Sequence, residues 1–318
     1  MFGKKRTEPK LFCTLLASFP HFNQFAHEDR LAGIRLNSAT VKKFELNDEL
    51  RLMEQANTEV PLWFDIKGRQ PRVAGVMAQD GNMVLTLNHP IEVATPLPVL
   101  FKAGGDNAEL VRVECQGHKL VFNGGPYYEV NAGESLHLRH PSFRVIGPSI
   151  FTDEEKEKIE MVRKAGLTRW FLSYVEEERD LDEFQELVGR DVQVMLKIET
   201  VRGLEFAQRF KKRKRPNMTL VAACGDLYVE VDRPHQILTA LRMLIKRDPE
   251  AMAGSRMLLS VCREEVPSLA DFCHLSWLYD LGYRTFLLCD ELCLKGDLLD
   301  RAVNAFDGFK ETIGFPAK

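Results

Sequence analysis

The chain has 318 residues, of which 45% are hydrophobic, and it carries a formal net charge of −3 at pH 7. This composition is typical of a folded protein with a substantial core, and it argues against intrinsic disorder. The small negative charge gives no electrostatic basis for binding nucleic acid or an anionic membrane surface. One basic run, at residues 211–215, has no interleaved aromatic side chains, so we interpret it as a solvated helix end rather than a phosphate-binding patch.

The sequence also indicates the compartment. It has no run of about 18 apolar residues, so no membrane-spanning helix is expected. The amino-terminal segment lacks the apolar core of a signal peptide. The seven cysteines form no Cys-x-x-Cys pair, and their odd number does not suit a disulfide framework. We therefore expect a cytoplasmic protein.

Apolar segments of strand length alternate with amphipathic segments of helix length along most of the chain. Strands are predicted at residues 10–16, 33–36, 60–65, 169–175, 192–198, 219–223, 256–261 and 284–289. Helices are predicted at residues 39–55, 152–165, 181–188, 201–210, 234–246, 268–281 and 297–313. This alternation predicts an α/β fold in which eight parallel strands close into a (β/α)8 TIM barrel. An open doubly wound sheet is the alternative, but no Gly-x-Gly-x-x-Gly loop follows the first strand.

One long stretch, residues 73–144, has no helical period. It contains short alternating segments of apolar and polar residues, separated by Gly, Asn, Asp and Pro, which is the pattern of strands joined by turns. We therefore expect a small all-β lid domain at residues 73–144, inserted after the third barrel strand. Residues 1–72 and 145–318 would form the barrel.

Active sites of (β/α)8 barrels lie at the carboxyl ends of the strands, so polar residues there are candidates. These candidates are Arg35, Asn37, Asp65, Arg72, Ser173, Lys197, Glu199, Gly225, Asp226 and Ser260. Lys197 and Glu199 are two residues apart on a strand, so their side chains point to the same face. Such a pair is also common on protein surfaces. The convergence of several polar residues on one rim is what favours a site.

The candidate residues suggest a metal and an anionic ligand. Glu199 and Asp226, on adjoining strands, would offer carboxylate oxygens to one Mg²⁺, which commonly takes one or two carboxylates and completes its shell with substrate oxygens and water. The cations that would meet the anionic ligand are Arg35, Arg72 and Lys197. The backbone N–H groups from Gly225 onward, where a strand turns into a helix, would bind a carboxylate.

Six short segments resemble motifs of the pyruvate kinase family, in the family's order. They are IRLNSAT (34–40), DIKGRQPR (65–72), SYV (173–175), MLKIET (195–200), CGDLYVEV (224–231) and, more weakly, CDE (289–291). The predicted β insert also falls where the family carries its lid domain. The resemblance covers nearly all of the chain, and the family's carboxyl-terminal regulatory domain is not expected.

The resemblance implies a role for each matched residue. Glu199 and Asp226 would hold Mg²⁺ or Mn²⁺, and Lys197 would neutralise the phosphoryl group during its transfer. Arg35 and Arg72 would bind phosphates, and the amide groups at Gly225 and Asp226 would bind the carboxylate of pyruvate. The resemblance does not fix the seventh strand: spacing places Ser255 at the family's catalytic threonine, whereas the apolar period favours Ser260.

Two departures from the family concern its monovalent cation. Asn37 and Asp65 match ligands of that ion, but Ala39 and Ile66 stand where the family has serine and threonine. Neither replacement side chain can donate an oxygen, so K⁺ should not be required. The Arg69 guanidinium, at a family proline, is expected to take the ion's place, unless it points to solvent.

The expected function is therefore a pyruvate-kinase-like phosphotransferase that acts on phosphoenolpyruvate or pyruvate with a divalent metal. Whether a nucleotide binds, and whether the chain forms a homo-oligomer, are left open. One alternative is a metal-dependent aldolase or lyase that uses the pyruvate enolate on the same barrel, without a nucleotide phosphate site. The other is a catalytically inactive protein that keeps only the fold.

Overall fold

The computed structural model describes residues 7–316. Its strands are β1 (Lys10–Thr14), β2 (Leu31–Asn37), β3 (Leu62–Ile66), β4 (Val73–Gln79), β5 (Asn82–Leu87), β6 (Ile91–Glu92), β7 (Leu97–Phe101), β8 (Asp106–Glu114), β9 (Lys119–Asn123), β10 (Arg144–Val145), β11 (Arg169–Leu172), β12 (Gln193–Ile198), β13 (Met218–Ala223), β14 (Met252–Gly254) and β15 (Thr285–Leu287). Its α-helices are α1 (Phe22–Phe25), α2 (Lys43–Ala56), α3 (Asp153–Lys164), α4 (Glu178–Val188), α5 (Val201–Arg209), α6 (Cys224–Glu230), α7 (Gln236–Arg247), α8 (Leu269–Leu281), α9 (Asp290–Cys293) and α10 (Gly296–Thr312).

Eight of the strands form a closed barrel in the order β1-β15-β14-β13-β12-β11-β3-β2, and every neighbouring pair is parallel. The predicted (β/α)8 fold is thus confirmed. Within residues 7–316, no helix has the length and apolarity needed to cross a membrane.

The side-chain alternation of the strands determines where the polar residues lie. Phe64 and Ile66 of β3 pack outward in the large core between barrel and helices, whereas Trp63 packs in a separate interior cluster with Phe12 and Phe171. The Trp63 ring lies edge-on to Phe12 and Phe171, at centroid distances of 5.9 and 5.5 Å. Residues two positions further along each strand share this inward face, so a polar layer follows directly above the aromatic one.

The inserted segment is all-β. Strands β4, β5, β7, β8 and β9 form an antiparallel sheet in the order β4-β5-β9-β8-β7, and β6 pairs with β10. The sheet packs on its own apolar core, which includes Leu85, Phe101, Leu110 and Phe122. This separate core explains why alternation, and not a helical period, dominates the sequence here.

The predicted seventh strand is wrong. The strand is Met252–Gly254, and the expected segment 256–261 is instead an irregular turn followed by a short 3-10 helix, Leu259–Cys262. Ser255, Arg256 and Leu258 have φ angles of 61°, 57° and 55°, which no strand residue adopts. The apolar period arose because this turn buries its side chains against the core around the barrel.

Candidate active site

The inward polar layer is organised around Asp65, which is fully buried at the end of β3. Its Oδ2 accepts hydrogen bonds from Arg35 (3.0 Å), Lys67 (3.1 Å) and Lys197 (3.3 Å), and its Oδ1 accepts one from the Ser173 hydroxyl (2.9 Å). Burial alone would raise the pKa of Asp65, but the lysines and Arg35 hold it well below its usual range. Asp65 is therefore an anion to which three cationic side chains donate hydrogen bonds.

Lys197 projects from β12 between two carboxylates. Its Nζ donates to the Ser173 hydroxyl at 2.9 Å and lies 3.0 Å from Oε1 of Glu199. Burial by itself lowers the pKa of Lys197, but Asp65 and Glu199 outweigh it and raise that pKa, so the ammonium stays charged. The three neighbouring oxygens fix the position of this charge.

Glu199 is also fully buried. Its Oε2 accepts the backbone N–H of Tyr174 at 2.7 Å, and Tyr174 adopts the left-handed region with φ 54°. Strain of that kind persists only where the surroundings hold the backbone in place. Burial raises the pKa of Glu199 to about 6, with Lys197 acting in the opposite direction and Asp226 reinforcing the rise.

Lys67 belongs to this layer, although sequence reasoning gave it no role. The signal was present: Trp63, Asp65 and Lys67 alternate along one strand and its extension, so all share the inward face. Burial lowers the pKa of Lys67 to about 8, against the opposing effect of Asp65. Lys67 is thus a second buried ammonium group beside Lys197.

Arg35 is engaged on every side. Its Nε donates to the Thr14 hydroxyl at 2.9 Å, its Nη1 donates to Asp65, and its Nη2 contacts Asp290 at the first position of α9. The other oxygen of Asp290 accepts a hydrogen bond from Asn37 Nδ2 at 2.7 Å. Sequence analysis included Asp290 only in the weakly matched CDE segment (289–291) and gave it no partner.

Gly225 and Asp226 lie in the first turn of helix α6 beside this layer. The Gly225 N–H donates to the Ser255 hydroxyl at 2.8 Å, so a protein oxygen occupies the donor expected to bind a ligand carboxylate. The Asp226 side chain is 34% exposed, and its Oδ1 lies 3.9 Å from Nε2 of His137 on the lid.

The lid closes one side of the site through short contacts. The Glu230 carboxylate lies 2.7 Å from Nδ1 of His137, and Arg139 donates to the carbonyl oxygens of Val231 and Asp232, both at 2.7 Å. Arg72, at the hinge of the lid, donates to Oε1 of Gln70 at 2.9 and 2.6 Å.

These groups border one cavity of about 260 Å³. Seven predicted residues line it: Arg35, Asn37, Arg72, Lys197, Glu199, Gly225 and Asp226. Asp65 lies directly behind it through its bonds to Arg35 and Lys197. A larger cavity of about 650 Å³ lies at the opposite, amino-terminal end of the strands, where barrel enzymes do not carry out their chemistry.

A comparison with curated proteins found a distant similarity. Pyruvate kinase of Encephalitozoon cuniculi (strain GB-M1) is 26% identical to the chain over 203 residues, which is 63% of the chain. This similarity suggests a pyruvate-kinase-like relationship. The match spans 44% of that relative's length, and no protein-family model matches. The relationship is therefore distant.

Two carboxylates of this cavity are the candidate ligands for a divalent cation. Among residues 7–316, no group of three or more His, Cys, Asp or Glu side chains converges as a metal site would require. Glu199 and Asp226 border the same cavity, and Asp226 acts on the pKa of Glu199. Two carboxylates suit Mg²⁺ when the substrate and water supply the other oxygens.

Two expected positions need correction. Ser260 does not lie at the end of a barrel strand: it is in the 3-10 helix Leu259–Cys262, and its hydroxyl contacts Asp271. Ser255 borders the cavity instead. The error follows from the misplaced seventh strand.

Arg69 also lies elsewhere than expected. Its guanidinium contacts Asp180 and donates to Glu177 at 2.6 Å, at the start of α4, rather than to Asn37 or Asp65. The negative residues that begin α4 attract it there. The charge beside Asp65 is supplied by Lys67, Lys197 and Arg35. That K⁺ is not required stays a prediction.

Proposed function

We propose that the chain is a pyruvate-kinase-like phosphotransferase that acts on phosphoenolpyruvate or pyruvate, with Mg²⁺ or Mn²⁺ held by Glu199 and Asp226. The observation that carries the proposal is the fixed ammonium of Lys197. It lies 3.0 Å from Glu199, on the edge of a cavity that Asp226 also borders. A cation that is already positioned beside a metal-binding carboxylate can stabilise developing negative charge without reorganisation.

The position of each residue indicates its role in the proposed reaction. Lys197, oriented by Ser173 and Asp65, would face the enolate oxygen or the phosphoryl group in transfer. Lys67 adds a second positive charge behind it. A bound divalent cation would supply Lewis-acid stabilisation of the enolate oxygen. The lid contacts of His137 and Arg139 would keep water from the reacting groups.

A second candidate function is a metal-dependent aldolase or lyase that uses the same enolate. One observation favours it: Arg35, which would bind phosphate in a kinase, is engaged by Asp290. An inactive protein is disfavoured on physical grounds. Burying Lys197 and Glu199 carries a desolvation cost that a protein needing only the fold would avoid by using apolar residues.

Binding of oxalate, a mimic of pyruvate enolate, tests the metal assignment. Calorimetry with and without Mg²⁺ should show oxalate binding that depends on the metal. Glu199→Gln and Asp226→Asn should each remove that dependence, whereas Glu205→Gln, which neutralises an exposed carboxylate on α5, should leave it intact. Unchanged Mg²⁺ dependence in both site variants would show that these residues do not hold the metal.

The two candidate reactions separate on the nucleotide. The phosphotransferase should convert phosphoenolpyruvate to pyruvate only when a nucleoside diphosphate is added, and the product triphosphate can be measured directly. An aldolase or lyase should catalyse enolisation of pyruvate at the same rate with or without nucleotide. Lack of any nucleotide effect on either reaction would reject the kinase.

A further inference from the structure

Asp290 is a residue of the site to which neither candidate reaction gives a role of its own. Its two carboxylate oxygens reach different donors: one contacts Arg35 Nη2, and the other accepts Asn37 Nδ2 at 2.7 Å. The Arg35 side chain is only 8% exposed, and Thr14 and Asp65 accept hydrogen bonds from two of its other N–H groups. The Arg35 N–H group that contacts Asp290 is therefore not free for a further anion while Asp290 is in place.

The contacts of Asp290 are those a ligand anion would make. One oxygen accepts from an arginine and the other from an amide, and a ligand carboxylate or phosphate has oxygen acceptors that could take the same two donors. Asp290 has its side chain 36% exposed and borders the cavity, so it can turn toward solvent. A phosphoryl group that binds the same N–H groups of Arg35 and Asn37 must displace it.

The charges around the cavity point the same way. Among the described residues, its wall carries four cations and four carboxylates, with Asp290 and Glu291 adjacent on α9. Before a metal binds, a multiply charged phosphoryl group thus gains little from the net charge of the wall. Removing the charge of Asp290 would both free Arg35 and shift the balance toward positive.

We propose that Asp290 is a specificity-determining residue that competes with phosphoryl groups for Arg35 and Asn37. The parent protein then binds a pyruvate-type carboxylate more tightly than its phosphorylated counterpart. This inference rests on the proposed function for the identity of the ligand, and it holds for either candidate reaction. Asp290 acts by accepting hydrogen bonds from Arg35 and Asn37, and it takes no part in bond breaking.

The test compares affinities for three probes in the presence of Mg²⁺: oxalate, phosphoenolpyruvate and inorganic phosphate. Asp290→Asn should tighten binding of phosphoenolpyruvate and phosphate by about tenfold or more, the scale of a charge-assisted hydrogen bond, and should change oxalate binding much less. Asp290→Ala provides a second variant in case the amide keeps hold of Arg35. Glu291→Gln is the matched control, since it removes a neighbouring charge from the same wall and makes no described bond to Arg35 or Asn37.

Each outcome decides the matter. If both Asp290 variants fold, by circular dichroism, and the ratio of phosphoenolpyruvate to oxalate affinity shifts no more than in Glu291→Gln, the inference is overturned. Weaker phosphate binding in the variants would also overturn it, because Asp290 would then orient Arg35 for phosphate. If the parent fails to bind oxalate with Mg²⁺, the proposed function fails, but the phosphate affinities still test Asp290.

Discussion

Lys197→Met should abolish most of the turnover while leaving substrate affinity nearly intact. Lys197 Nζ is fixed by oxygens of Ser173 at 2.9 Å, Glu199 at 3.0 Å and Asp65 at 3.3 Å. Methionine keeps the length of the side chain and removes the charge. Loss of one preorganised electrostatic stabiliser lowers kcat by about a hundredfold or more, which corresponds to about 3 kcal/mol of transition-state energy.

The same change also affects stability, and this effect must be separated from catalysis. Breaking a buried ion pair commonly costs about 3–5 kcal/mol. The cost here should fall at the low end, because Asp65 retains Arg35 and Lys67 as partners. We expect a folded variant with a lower unfolding midpoint in urea.

Steady-state kinetics with phosphoenolpyruvate, Mg²⁺ and a nucleoside diphosphate measure the effect. A fall in kcat with KM changed less than about threefold would indicate an interaction made mainly in the transition state. Lys164→Met, at an exposed position on α3, is the matched control and should have the parent's kinetics. A folded Lys197→Met variant with kcat within a few-fold of the parent would refute the role assigned to Lys197.

Three further predictions follow from other parts of the structure. Activity in tetramethylammonium buffer should rise less than tenfold on adding KCl, compared at matched ionic strength, because Ala39 and Ile66 offer no side-chain oxygen to K⁺. A larger rise would show that K⁺ acts without those two ligands. The parent protein should lose about 2 kcal/mol of unfolding free energy between pH 7 and pH 5, because burial lowers the pKa of His89 from 6.5 to about 4 and only the unfolded chain takes up the proton. His89→Gln should remove this loss when both proteins are unfolded in urea at the two pH values, and equal pH dependence in both would contradict this. Arg139→Ala should increase protease cleavage of the lid, because it removes the hydrogen bonds to Val231 and Asp232; an unchanged cleavage rate would show that these bonds do not hold the lid.

Much of the barrel could be predicted because its strands carry a strong period. In β3, Trp63 and Asp65 face inward while Phe64 and Ile66 face the helices, so one strand revealed both the core and the site. The same alternation carries Lys197 and Glu199 to the inward face of β12 and its end. These positions depend on local backbone geometry, which the sequence encodes directly.

The failures have physical causes of a different kind. Met252–Gly254 is too short and too poor in branched residues to signal a strand, whereas the turn after it is apolar because it packs into the core. The partners of Arg69 and Asp290 lie more than 100 residues away along the chain. Which ion pairs form depends on closure of the barrel and on competition among many charged side chains, and a local sequence pattern does not predict it.

The most direct test of the central assignment is exchange of the methyl protons of pyruvate with deuterated water, followed by NMR. We predict exchange catalysed by the parent protein with Mg²⁺, abolished by removal of the metal and by Asp226→Asn, and retained in Glu205→Gln. Absence of exchange with Mg²⁺, or exchange that survives Asp226→Asn in a folded protein, would contradict the account.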